Sequence, residues 1–180
     1  MPSIVRDWNL TTGRAGFPGA VALAATLWAL LGGLVLLAVV AMNVASVIGG
    51  IVWVPFPGDF EMTQIGVAVA AFSFLPYTQI TGGNVTADIF TSGAGVRTRA
   101  ALTCLASLVA FGFALVLLWR MYAGMLDQKA YSYTTTILQF PIWLAFLPIL
   151  ISLALLALAA FVSFTEDMRR AVTPPKVREN

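Results

Sequence analysis

From Ala20 to Met42 the chain carries no charged side chain. At 1.5 Å rise per residue, a helix over that run reaches ~34 Å, enough to cross the hydrocarbon core of a bilayer with some tilt. Three further apolar runs follow. One begins at Asp59, passes its last charge at Glu61 and continues to Thr81. Another extends from Ala100 to Trp119 and is closed by Arg120. The last opens at Pro141 and reaches Phe164, ahead of Glu166 and Asp167. Backbone N–H and C=O groups find no water in hydrocarbon, so such runs must be helices or closed barrels, and their length selects helices. With 59% apolar and 10% charged residues, the composition is that of a membrane protein rather than a water-soluble domain.

The expected architecture is therefore an all-α membrane protein: one domain over residues 1–180, with transmembrane helices at 20–42, 59–81, 100–119 and 141–164 joined by short interfacial loop segments. Pro141 suits the first helical position, where its missing N–H would have no intrahelical partner. Pro76 and Pro148 fall within apolar runs and are expected to kink spans two and four. Arg6 and Arg14 precede the first run in the manner of a signal peptide, but that run exceeds a signal h-region, so an uncleaved first span is expected.

Lys and Arg set the direction. If four spans alternate, Arg6, Arg14, Arg97, Arg99, Arg169, Arg170, Lys176 and Arg178 share one side, against Arg120 and Lys129 on the other. By the positive-inside rule both termini and the loop from Gly82 to Arg99 are cytoplasmic. The loops from Asn43 to Gly58 and from Met121 to Phe140 then face outward. Trp53, Trp119, Tyr122 and Trp143 stand near span ends on that side, as interfacial anchors do.

A single cysteine, Cys104, and no histidine leave no intrachain disulfide, no cysteine-rich metal site and no imidazole base. No catalytic or substrate-binding residue, metal or cofactor is expected, and the scattered basic residues do not form a nucleic-acid footprint. The spans also lack ionisable groups near their centres, where a carrier would need them. Their polar residues, such as Thr26, Ser73, Thr103, Ser107 and Ser152, are mild ones that bond to their own backbone or a neighbouring helix. Small residues recur in span one (Ala20, Ala24, Ala25, Ala29, Gly32, Gly33) and span three (Ala100, Ala101, Ala106, Ala110, Gly112, Ala114). They suit close helix packing, within the bundle or against a partner.

Two segments carry a family resemblance. Pro57, Gly58, Asp59, Phe60 and Glu61 form a Pro-Gly-x-x-Glu entry to span two; Gly82, Gly83, Asn84, Val85, Thr86, Ala87 and Asp88 form the turn after it. The stretch Thr136, Ile137, Leu138, Gln139, Phe140, Pro141, Ile142, Trp143 leads into span four. Together these resemble the small membrane subunit of tripartite ATP-independent periplasmic (TRAP) transporters, the DctQ family. Asn84 stands where many members of that family have histidine, so no role of that side chain carries over.

The resemblance implies a scaffold rather than a carrier. A periplasmic solute-binding protein would capture an organic anion and a large membrane subunit would import it on an ion gradient. The small subunit, embedded in lipid, would brace the large one. Residues expected to fix loops or meet partners are Pro57, Gly58, Asp59, Glu61, Gly83, Asp88, Arg120, Asp127, Pro141 and Trp143. Each has a plainer expectation beside it. Asp59 can cap span two and Glu61 can face its helix dipole. Gly82 and Gly83 can supply a left-handed turn. Asp88 can pair with Arg97 or Arg99, and Arg120 can snorkel to the outer surface. Rival readings are the small four-span subunit of a tripartite tricarboxylate transporter, a small membrane enzyme and a homo-oligomeric channel. Against the last two stand the missing catalytic groups and the lack of a polar face.

Overall fold

The computed structural model describes residues 13–82 and 96–172, the side chains of 96–101 and 170–172 excepted. Four helices account for most of them: α1 (Gly16–Val52), α2 (Asp59–Thr81), α3 (Val96–Ala130) and α4 (Trp143–Val172). Among the described residues there is no strand, only an isolated bridge between Thr134 and Pro141. Three helices are long and apolar enough to cross a membrane: α1, α3 from Leu102 onward, and α4 to Arg169. α2 is not one of these. Thr63, Gln64, Ser73, Thr78 and Gln79 make it more polar, and it is packed against both α1 and α4.

Helix ends differ from the apolar runs in an informative way. α2 occupies 59–81 as expected. α1, however, continues ten residues beyond Met42, so the outer loop expected from Asn43 contracts to 53–58. α3 likewise passes through Arg120 to Ala130, which shortens the connector expected from Met121 to residues 131–142. Neither Asn43 nor Arg120 breaks a helix, because a single polar side chain leaves the backbone ladder intact. Pro141 is not the first helical residue: α4 starts at Trp143, and the Pro141 carbonyl accepts the Leu144 N–H at 3.1 Å in the turn that precedes the helix. α2 and α4 run on through Pro76 and Pro148. α2 ends on Gly82 at φ 68°, the left-handed cap its sequence suggests. Gly83, Asp88 and Asn84 lie outside the described residues.

The helices neighbour one another in the order α1, α2, α4, α3, with a smaller contact from α1 to α4. Small residues let α1 and α2 approach closely. A Cβ on Gly32 would sit 2.6 Å from the Ser73 Cβ, and one on Gly66 would collide with Val39. Of the small residues on α1, Ala25, Ala29 and Gly32 are buried in this way, whereas Ala20 is exposed. α3 buries Ala114 but leaves Gly112 in open space. The tightest apolar packing joins three helices near the end of α2: Val21, Ala22 and Ala25 of α1, Ile80 of α2, and Ala159 and Val162 of α4.

Polar contacts tie the helices. The Arg14 guanidinium grips Glu166 through both carboxylate oxygens, at 2.8 and 3.0 Å. Ser107 donates to Asp167 at 2.6 Å, the Trp28 indole N–H donates to Ser152 at 2.8 Å, and the Asn43 amide donates to Thr63 at 2.7 Å. Every buried side-chain nitrogen and oxygen among the described residues has a partner.

Candidate functional site

The turn between α1 and α2 is built around Gly58. Its φ of 79° is a left-handed conformation that costs glycine nothing, and its carbonyl accepts the Met62 N–H at 3.0 Å. Exposed Pro57 precedes it. Asp59 is thus the first residue of α2 and not its N-cap. Its carboxylate reaches back to α1, accepting the Ser46 hydroxyl at 2.5 Å, and also accepts the Phe60 N–H at 2.7 Å. Ser46 accepts the Phe56 N–H in turn, at 3.2 Å, so one small network closes the hairpin.

The connector between α3 and α4 folds as a narrow loop closed on itself. Ile142 N–H donates to the Tyr133 carbonyl at 3.1 Å and Thr135 N–H to the Phe140 carbonyl at 3.0 Å. Phe140 N–H donates to the Thr135 hydroxyl at 3.1 Å. Gln139, at φ 53°, turns the chain at the tip, its side-chain amide donating to the Thr136 carbonyl at 3.0 Å. Residues 136–138 are left with N–H groups pointing outward from the tip, the concave arrangement that binds an anion.

Glu61 supplies that anion. One carboxylate oxygen accepts the Ile137 N–H at 2.7 Å and the other the Leu138 N–H at 3.1 Å, with the Thr135 hydroxyl and Thr136 N–H also directed toward it. Beside this grip the connector rests on the hairpin: a Cβ on Gly58 would lie 2.5 Å from Leu138 Cγ. The two segments singled out in the sequence, 57–61 and 136–143, are therefore the two halves of one clasp. The clasp is a joint that locks two loops, and an acceptor-only carboxylate closed by amide donors is well suited to that.

The remaining expected residues stand around it. Trp143 opens α4 with the Lys129 ammonium 5.1 Å above its ring, a cation–π contact across the connector's base. Asp127 is exposed on α3, and its backbone carbonyl accepts the Tyr131 N–H. Arg120 is exposed farther down the same helix. Neither joins the Glu61 grip. Ser46 and the tip amides of Ile137 and Leu138 were not among the expected site residues. A serine in an apolar helix and an amide in a loop have no distinguishing sequence signal.

Residues 36–170 match the family model described as tripartite ATP-independent periplasmic transporters, DctQ component. The chain belongs to the DctQ family. Both halves of the clasp fall inside the matched region, as do α2, α3, nearly all of α4 and the C-terminal part of α1. This DctQ chain is consequently a small membrane component of a TRAP transporter, a transporter part and not a member of an enzyme family, and its apolar helices make it a multi-pass membrane protein. Neither the curated proteins nor the solved structures contain a match to it.

Proposed function

We propose that this DctQ chain is the non-transporting scaffold of a three-part importer in a bacterial inner membrane. All four helices cross the bilayer, both termini are cytoplasmic, and the clasp lies on the periplasmic side. The eight-to-two division of Lys and Arg supports that direction. A large membrane subunit carries an organic anion inward on an ion gradient, and this chain holds that subunit's fixed part in place.

The observation that carries the reading is how the polar groups inside the bundle are used. Trp28 is bonded to Ser152, Ser152 and Ser73 to carbonyls of their own helices, and Asn43 to Thr63. Between Ala15 and Gly58 there is no ionisable group at all. None of these polar groups is left to bind an ion or an anion in mid-bilayer, and the clasp and the Arg14–Glu166 pair brace the bundle at its two ends. Proteoliposome uptake tests this directly. The chain with its large subunit and binding protein should accumulate solute under an ion gradient, and the chain alone should accumulate none. Gradient-driven uptake by the chain alone would overturn the reading.

The clasp also gives the periplasmic face a fixed shape on which a binding protein can dock, with Asp127 exposed beside it. The variant Asp127→Lys should reduce binding-protein-dependent uptake while leaving thermal stability unchanged. Unchanged uptake would remove Asp127 from that role.

A further inference from the structure

Side-chain contacts fix the register of the helices against one another. Ser107 lies opposite Asp167, Phe111 opposite Phe161 and Lys129 opposite Trp143, which aligns α3 with α4. Arg14 with Glu166 and Trp28 with Ser152 align α1 with α4. Gly32 with Ser73, Asn43 with Thr63 and Ser46 with Asp59 align α1 with α2. In this common register, exposed Arg120 stands level with Ser152, the middle of α4's uncharged run from Pro141 to Thr165. A bundle standing upright in the membrane would hold that guanidinium in the centre of the hydrocarbon, where a charge facing lipid is costly.

The outer aromatic residues point to a different placement. Projected onto α1 through the same contacts, Trp53 lies at its own position, Phe60 near residue 45, Trp143 near 37 and Trp119 near 28. In packing order α1, α2, α4, α3, each step is about eight residues, or ~12 Å of helix. Interfacial aromatics and the charges next to them mark the membrane surface, and here they descend along a diagonal.

Exposure at the outer end of α1 agrees with the diagonal. One face of its first turns, Val21, Ala22 and Ala25, belongs to the dry apolar cluster with Ile80, Ala159 and Val162, while Phe17 and Leu27 are exposed. Its last turn is apolar and bare: Ile51 is 80% exposed and Val52 77%, a surface suited to lipid.

We propose that the bilayer cuts this bundle obliquely. Lipid covers α1 from about residue 30 to Trp53, well past Met42, and covers α3 only as far as Trp119 and Arg120. The outer membrane surface then runs diagonally from Trp53 through Phe60 and Trp143 to Trp119. The proposal rests on the four-crossing reading above and adds the depth at which each helix crosses.

Spin labels on single cysteines, introduced into the full-length chain with Cys104→Ser and reconstituted in bilayers, measure depth. Oxygen collides with labels in hydrocarbon and a nickel chelate with labels in water. The informative pairs are Ile48→Cys against Leu126→Cys and Val44→Cys against Tyr122→Cys, all at exposed positions. In an upright bundle the α3 label of each pair is the deeper one. The oblique placement reverses both, with Ile48→Cys and Val44→Cys in hydrocarbon and Leu126→Cys and Tyr122→Cys reached by nickel. An α3 label deeper than its α1 counterpart overturns the proposal. Labels at Leu75→Cys and Ile151→Cys lie in hydrocarbon under either placement, so water-like values there would remove the crossings themselves, and the oblique placement with them.

Discussion

The two ends of the bundle are held by opposite kinds of interaction. At the clasp, almost every contact is polar and directional: Glu61 to two amides, Asp59 to Ser46, and a connector tied by its own backbone. At the end near Ile80, buried alanines and valines of α1 and α4 interlock with Ile80 of α2, and the two-pronged ion pair between Arg14 and Glu166 flanks them. The difference follows from what each end must join. Helices present side chains at fixed spacing and can interdigitate. Loops present unpaired amides, and these need an acceptor. One end is therefore sensitive to volume and the other to hydrogen-bond geometry.

The sharpest way to break the comparison is to add volume where there is none. Ala25 is 0% exposed, so Ala25→Leu should destabilise the bundle by about 1–3 kcal/mol, the usual cost of overpacking. Thermal unfolding of the detergent-solubilised chain would read this as a lower midpoint, and an unchanged midpoint would mean that this end is loosely packed. Next comes Gly58→Ala. It places a Cβ at positive φ and against Leu138, for a loss of about 1–2 kcal/mol. Hydrogen exchange should show the loss concentrated in residues 53–61 and 135–140 rather than in α4.

Glu61→Gln should leave the global midpoint nearly unchanged, because the amide still offers one acceptor oxygen to the tip. Exchange at the Ile137 and Leu138 amides should nonetheless rise several-fold; if both stay protected, Glu61 is not what holds the connector. Smallest of all is Arg14→Met. Its pair with Glu166 is about a quarter exposed on each side, and partly solvated pairs contribute about 1 kcal/mol or less. The midpoint should fall slightly, and the difference from the parent chain should shrink in high salt.

Much of the fold was legible in residue order. Uncharged runs located all four helices, and α2 matched its run at both ends. Gly82 was readable as a left-handed cap. Where helices stop was less legible. Asn43 and Arg120 look like boundaries to hydropathy, but a helix ends where its backbone loses partners, and here the partners continue. Pro141 illustrates the same limit, since its fixed φ also suits the turn that leads into a helix. Asp59 had the composition of a cap, but Gly58 took that position through a φ that only the folded turn reveals.

The sequence by itself determined that this is a helical membrane chain, and its motifs already matched the pieces of the family later found over residues 36–170. Composition and local spacing suffice for that, because solvent preference and turn chemistry are properties of neighbouring residues. That the segments 57–61 and 136–143 form one joint was decided only by the tertiary structure. Glu61 and Ile137 are separated by most of two helices, and no local pattern encodes which amide a distant carboxylate will meet. The register that sets Arg120 beside Ser152 has the same origin, since it exists only once α3 and α4 have packed.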